Sequence, residues 1–81
     1  MARAKKKYFD YDQDTFEKLR AKRMQIAKAQ NVPPYIIFHD KTLQEMAEIK
    51  PQSIEEFSKI TGVGQSKLKK YGKVFLETLC E

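Results

Sequence analysis

The segment NVPPYIIF, residues 31–38, divides this chain and sets its architecture. Proline lacks a backbone N–H and restricts the residue before it, so Pro33 and Pro34 end any helix that precedes them. The apolar residues 35–38 are too few to classify by periodicity, and the chain offers no second strand candidate to pair with them. We therefore expect residues 35–38 to form a short helical turn packed into the core.

A long first helix is expected upstream of this segment. Asp14 and Glu17 have the spacing of an N-terminal capping box, which places the helix start near residues 12–14 and its end at Asn31. Apolar residues recur on one side at helical spacing, namely Phe16, Leu19, Ile26 and Ala27. Arg23 falls in the middle of that side, so we expect a structural arginine paired with a carboxylate or with helix-end carbonyl groups.

Two shorter helices are expected downstream. Asp40 is expected to cap a helix that continues to about Lys50, where Pro51 stops it. Its buried side is expected to comprise Leu43, Met46 and Ala47. Ser53 and Glu56 repeat the capping-box spacing and open a short helix. That helix is expected to bury Ile54, Phe57 and Ile60.

The last helix follows a turn rich in glycine. Residues 62–64, Gly-Val-Gly, let the backbone turn tightly before a helix from about Gln65 to Cys80, whose last turn Cys80 is expected to pack. Its inner face is expected to comprise Leu68, Tyr71, Phe75 and Leu79. Gly72 costs a helix about 1 kcal/mol relative to alanine, so close helix–helix contact is expected there. The fold class is thus all-α, a compact bundle of about five helices with a helix–GVG–helix hairpin.

Length and composition predict one globular domain. The chain has 81 residues, of which 41% are hydrophobic and 33% charged. We expect a flexible basic arm over residues 1–9 and a folded domain over residues 10–81. The longest apolar run has four residues, far short of the roughly 20 that span a bilayer, and no secretory signal is visible. We expect a monomer without membrane partners, cytoplasmic and nucleoid-associated in a bacterium, or nuclear in a eukaryote.

No arrangement of residues predicts catalysis, a metal site or a cofactor. The Gly-Val-Gly turn lacks the further residues of phosphate-binding loops, and the alternating aspartates at 10, 12 and 14 lack the rest of a calcium loop. His39 is the single histidine and is expected to be an exposed loop residue. Cys80 is the single cysteine, so an internal disulfide is excluded. We therefore expect a binding module and not an enzyme.

The net charge of +5 is unevenly distributed. Residues 1–7 carry four positive charges and no acid, while two further basic stretches flank an acidic one. The basic stretches comprise Lys18, Arg20, Lys22, Arg23 and Lys28, and then Lys67, Lys69, Lys70 and Lys73. The acidic stretch contains Asp40, Glu45, Glu48, Glu55 and Glu56. This segregation suits a polyanionic partner, and solvated helix faces remain the alternative interpretation.

Three groups of residues are candidates for contact with nucleic acid. Gly62 and Gly64 leave backbone N–H groups at a helix N-terminus, which suits a phosphate, with Lys67 and Lys70 just beyond; a turn that binds nothing is the alternative. Tyr35 on its proline-stiffened loop suits an unstacked base, although an aromatic beside apolar residues is more often core. The phosphate candidates on the first helix are Lys18, Arg20, Lys22 and Lys28.

These ordered segments resemble the HRDC domain, the C-terminal module of RecQ-type DNA helicases and ribonuclease D. The segments are FEKLRAKRMQIA (16–27), NVPPYIIF (31–38), DKTLQEMA (40–47) and GVGQSKLKKYGKVFL (62–76), and together they span most of residues 10–80. They are most similar to the version in bacterial RecQ proteins. One position departs from the family, whose first helix usually has leucine where this chain has Lys22.

The resemblance implies a five-helix auxiliary domain that helps a RecQ-type helicase engage single-stranded or partly single-stranded DNA. The aromatic contact of the family falls on Tyr35, and Lys22 and Lys28 fit its usual basic surface. Two alternatives stay open: a protein-interaction module that docks on the helicase core or a partner, and the equivalent domain of a ribonuclease D-like protein.

Overall fold

The computed structural model describes residues 11–81, and the predicted basic arm lies outside the described residues. Five α-helices follow in order: α1 Gln13–Gln30, α2 Pro34–Ile37, α3 Asp40–Ile49, α4 Ile54–Phe57 and α5 Gln65–Leu79. Residues 11–81 contain no strand. The predicted all-α bundle is confirmed.

Helix α1 begins one residue before the predicted cap. Asp12, in an extended conformation, is the N-cap, and its Oδ1 accepts the N–H of Asp14 at 3.0 Å. The capping box on Asp14 was therefore wrong, because Asp14 already lies inside the first turn and its N–H is the group that is capped. The predicted end is confirmed: Asn31 adopts the left-handed conformation at φ 60°, and its N–H bonds to carbonyl groups of the last turn.

Helix α3 also begins differently from the prediction. The N-cap is His39, which makes no side-chain capping bond, and Asp40 is the first helical residue. The predicted capping role of Asp40 was wrong because its carboxylate pairs with Arg23 instead, at 2.8 Å. The second capping box is confirmed in its main contact, since Ser53 Oγ accepts the N–H of Glu56 at 3.1 Å. Glu56 Oε1 reaches back to the N–H of Gln52 at 2.8 Å.

The core is built around Phe38. Its ring packs edge-on against Phe75 with centroids 5.1 Å apart and also contacts the rings of Phe57 and Tyr71. The core residues are Leu19, Ala27, Ile37, Phe38, Leu43, Met46, Ala47, Phe57, Ile60, Tyr71 and Phe75. They include the predicted inner residues of α3.

Three residues predicted to be buried are exposed. Ile36 keeps 47% of its surface because the inner side of the one-turn helix α2 is taken by Ile37 and Phe38. Ile54 keeps 45% at the start of α4, although its tip lies across Gly72. Cys80 is exposed because it follows the last residue of α5 and extends beyond the core.

The turn of residues 62–64 packs against the start of α3. Gly62 has φ +91°, and a Cβ there would meet Thr42 Oγ1. Thr42 is buried and donates its hydroxyl proton to the carbonyl of Thr61 at 3.1 Å. Gly64 is the N-cap of α5. The turn therefore requires glycine at position 62, where a side chain would meet both strain and a steric clash.

The predicted close contact at Gly72 is confirmed. Gly72 is buried on α5, and a Cβ at this position would lie 3.2 Å from Ile54 Cδ1 of α4. The absence of a side chain thus lets α4 lie directly on α5.

An ion pair joins the N-terminus of α1 to the C-terminus of α3. Lys50, the left-handed C-cap of α3, donates from Nζ to Asp12 Oδ2 at 2.9 Å. The hydrogen bond from Lys50, and to a smaller extent the one from Thr15, lowers the pKa of Asp12 to about 2.

Among the described residues, no helix is long and apolar enough to cross a membrane.

Candidate nucleic-acid interface

An open groove of about 530 Å³ lies where α1, α2 and α3 meet. Its lining residues are Arg23, Pro34, Tyr35, His39, Asp40 and Lys41. One wall is aromatic, the floor carries a buried guanidinium, and the rim carries one cation and one carboxylate.

Tyr35 forms the aromatic wall. The residue is 57% exposed, which overturns the interpretation of Tyr35 as a core residue. Pro33 is the N-cap of α2 and Pro34 its first residue, so the φ angles of the two residues before Tyr35 are fixed by their proline rings. The ring of His39 lies nearly parallel to it, with centroids 6.3 Å apart and 21° between planes. Two flat rings therefore face solvent on a stiff support.

Arg23 forms the floor. It is buried, and its Nη1 donates to the carbonyl oxygen of Phe38 at 2.9 Å and pairs with Asp40 Oδ1 at 2.8 Å. Both partners named by the sequence prediction, a carboxylate and a carbonyl group, are thus present. Its Nε is buried without a hydrogen-bond partner among the described residues. Arg23 consequently holds the α2–α3 connection to α1.

The start of α5 reaches the same region. Lys67 Nζ lies 5.7 Å from the centroid of the Phe38 ring, a distance typical of a cation–π contact. The turn at Gly62 packs on Thr42, in the first turn of α3 next to Lys41. The fold therefore brings the glycine turn and Lys67 to the end of α3 at which the Tyr35 groove lies. Two candidate patches that are separate in sequence thus both contact the segment of residues 38–42, although neither Lys67 nor the glycine turn lines the groove.

The cations of α1 divide between two flanks. Arg20 pairs with Glu17 at 3.1 Å and lines a shallow depression that shares Arg23 with the Tyr35 groove. Lys18 donates to the carbonyl of Glu81, so its flank of α1 runs beside the C-terminus of α5. Lys22 is half-buried on that second flank, and its ammonium donates to Gln25 Oε1. The structure therefore brings Arg20 toward the groove and separates Lys18 and Lys22 from it.

The remaining candidate cations are exposed. Lys28 lies in the last turn of α1, and Lys70 follows Lys67 by about one turn of α5. In residues 11–81, no group of three His, Cys, Asp or Glu side chains could hold a metal ion.

The sequence interpretation missed two members of the groove. Lys41 was not among the candidates for contact with nucleic acid, and His39 was expected to be an exposed loop residue. The available signal was proximity in sequence: His39 and Lys41 follow Tyr35 within six residues, at the start of the next helix.

The HRDC domain family matches residues 12–79. This chain belongs to the HRDC domain family. HRDC domains are auxiliary domains without catalytic activity of their own, and this domain is accordingly not an enzyme.

Several helicases contain a segment similar to this HRDC domain. The ATP-dependent DNA helicase RecQ of Haemophilus influenzae is 49% identical over 72 residues, which cover 89% of this chain and 12% of that protein. RecQ of Bacillus subtilis is 44% identical over 66 residues, covering 82% of this chain and 11% of that protein. The chain thus spans about a tenth of the length of these relatives.

A solved structure shares the fold. The D. radiodurans RecQ HRDC domain 3 superposes with a TM-score of 0.79 and 26% sequence identity, covering 82% of this chain and 87% of that one. The DNA helicase UvrD2 of Mycobacterium tuberculosis is also similar, at 38% identity over 68 residues, or 84% of this chain and 10% of that protein.

Proposed function

We propose that this HRDC domain binds single-stranded or partly single-stranded DNA through the Tyr35 groove. A base stacks on Tyr35, and the phosphates on either side follow the cations around the groove. The proposed contacts comprise Tyr35, Lys41, Arg20, Lys28, Gly62, Gly64, Lys67 and Lys70, with Lys18 and Lys22 as an outlying extension.

The exposure of Tyr35 carries this proposal. Tyr35 is 57% exposed on a proline-containing turn, outside the hydrophobic core, so its ring is available to a ligand. Stacking of a base on an exposed aromatic ring is worth about 1–3 kcal/mol and tolerates every base, because each base has a π-face. His39 enlarges the platform to two rings.

The surrounding positive charges support a path for the phosphate backbone of the DNA. Lys41 lines the groove, and Lys67 lies over Phe38, the residue before His39. The N-cap Gly64 presents the start of α5, where unpaired N–H groups and the helix dipole favour an anion. We expect about three or four phosphate contacts and therefore weak binding with little sequence preference.

The names of the relatives support a parent protein that acts on DNA. We propose that the domain is part of a RecQ-type helicase, in which ATP hydrolysis and strand separation belong to other domains. The relatives reported above are helicases, so the ribonuclease D alternative has less support.

A second candidate function is docking of a protein on the acidic side of the domain. Ile49 and Ile54 are 54% and 45% exposed on either side of Pro51, next to Glu48 and Glu55. An apolar pair bordered by carboxylates suits a partner with a basic, partly apolar surface. Such binding would survive replacement of Tyr35 and would be lost on reversal of the acidic charges.

The test is an NMR titration of the full chain with a short single-stranded oligonucleotide at low salt. Shift changes centred on Tyr35, His39, Lys41 and the residues 62–67 are expected. The same titration on a variant with Arg3, Lys5, Lys6 and Lys7 replaced by glutamine removes the charge of the N-terminal segment. Shifts that vanish in this variant would refute binding by the groove.

Salt dependence provides an independent check. Each phosphate contact to single-stranded DNA contributes a log–log slope of about −0.7, so about three or four contacts predict a slope between about −2 and −3 in the arm-neutralised variant. An affinity that does not change with salt would contradict phosphate contacts.

A further inference from the structure

We propose that Asp40 reads the edge of the base stacked on Tyr35 and favours cytosine over uracil or thymine. This inference rests on the proposed binding of single-stranded DNA in the groove. Asp40 is an acid in the lining of a groove that is otherwise suited to a polyanion, and it lies beside the aromatic wall. A carboxylate repels phosphate there, so any contact of Asp40 with the ligand lies at another part of the nucleotide.

The carboxylate of Asp40 is fixed at one oxygen. Oδ1 pairs with Arg23 Nη1 at 2.8 Å, and the same nitrogen donates to the Phe38 carbonyl. The side chain of Arg23 is only 10% exposed, which makes it a rigid anchor. Asp40 is the first residue of α3, so its backbone is also set by the helix.

The other carboxylate oxygen is available to a ligand. Within residues 11–81 the structure gives Asp40 Oδ2 no hydrogen-bond partner, and the side chain of Asp40 is 67% exposed. A carboxylate accepts hydrogen bonds and donates none when ionised. The groove therefore combines a stacking ring with one oriented acceptor.

The chemistry of the pyrimidines distinguishes the ligands. Cytosine presents its N4 amino group as a donor where thymine and uracil present the O4 carbonyl, and Asp or Glu accepting from N4 is a recurrent pairing. The N3–H of uracil offers a competing donor, but the O2 and O4 carbonyl oxygens flank it and are repelled by the carboxylate. Because the site is half open to water, we expect a preference for cytosine of about fivefold.

The experiment compares oligodeoxycytidylate with oligodeoxyuridylate of equal length at pH 8, by fluorescence anisotropy on the full chain. The two ligands have identical backbones and no methyl group, so phosphate contacts cancel. About fivefold tighter binding of the cytosine ligand is expected. Equal affinity, or tighter binding of the uracil ligand, would overturn the proposal while leaving DNA binding intact. Folded protein that binds neither ligand would overturn the proposed function as well.

The variant Asp40→Asn tests the assignment to this side chain. Its amide oxygen can occupy the place of Oδ1 beside Arg23, which turns the NH₂ group toward the base as a donor to O4. The preference for cytosine should then disappear or reverse. Asp14→Asn, at an exposed acid in the first turn of α1 that does not line the groove, removes the same charge and should keep the preference. A cytosine preference that survives Asp40→Asn, with folding checked by thermal denaturation, would refute the role of Asp40.

Discussion

Replacing Tyr35 by alanine separates the binding role of this side chain from its structural role. The ring lies on α2 at the surface, and its neighbours Ile37 and Phe38 hold the core without it. We expect the free energy of unfolding of Tyr35→Ala to stay within about 0.5 kcal/mol of the original value, as is usual for exposed positions. Urea denaturation measures this directly.

The loss of affinity should be much larger than the loss of stability. Stacking on an aromatic side chain contributes about 1–3 kcal/mol per base, which corresponds to a weakening of about 5- to 150-fold in the dissociation constant. Because Tyr35 is more than half exposed and His39 can retain part of the platform, we expect the lower end, about 5- to 20-fold. Fluorescence anisotropy with a labelled single-stranded oligonucleotide at low salt is the assay.

Two control variants make this result interpretable. Tyr35→Phe keeps the ring and should bind within about twofold of the original chain. Ile36→Ala removes an exposed apolar side chain that does not line the groove and should bind equally well. A Tyr35→Ala variant that is fully folded and binds within twofold of the original would refute stacking at this position.

Further predictions concern charge, the turn and the core. Replacing Lys67 by glutamine should make the salt slope less steep by about 0.7, measured by the same titration at several salt concentrations. The pKa of Asp12 in the folded state, about 2, lies below its ordinary value of 3.8, so the stabilisation from this carboxylate is present above pH 3.8 and lost as the pH falls toward 2. Acid titration of Lys50→Met should show a smaller loss of stability in that window, and an unchanged loss would refute the pairing. Gly62→Ala should lower the free energy of unfolding by about 1–3 kcal/mol or more, since φ is +91° and Thr42 blocks the new methyl group. Phe38→Ala should cost about 3–5 kcal/mol by urea denaturation, because its ring contacts three aromatic side chains in the core.

Much of the fold was predictable because its signals are local. Proline and asparagine ended α1 as expected, and the apolar spacing located the buried side of α3. The failures arose where a tertiary contact competed with a local one. Asp40 has the residue type of a cap, but the guanidinium of Arg23 attracts its carboxylate more strongly. The spacing of residues in the sequence does not show that the Arg23 guanidinium lies within reach of the Asp40 carboxylate.

The misplaced apolar residues have a different cause. One-turn helices such as α2 and α4 have too few residues for periodicity to define an inner side, so Ile36 and Ile54 were assigned inward with their neighbours. Only the packing around Phe38 decides which residues of such a turn face the core.

The candidate site was predictable in its parts and not in its assembly. Tyr35 and Lys67 were both identified from the sequence, but nothing in the sequence indicates that Lys67 lies over Phe38 or that Gly62 packs on Thr42. Those long-range contacts bring the start of α5 to the start of α3. Lys41 was missed because its place in the groove depends on how the helices pack against one another.

Phe38 links the interior of this domain to its surface through a single residue. Its ring is completely buried among aromatic side chains, while its carbonyl oxygen accepts a hydrogen bond from Arg23 at the base of the groove. The foundation of the groove is thereby as rigid as the hydrophobic interior, whereas Tyr35, His39 and Lys41 stand on it as separate exposed side chains. Laboratory evolution of this domain toward other single-stranded ligands should therefore succeed at those three positions without refolding the scaffold, and should fail at Phe38.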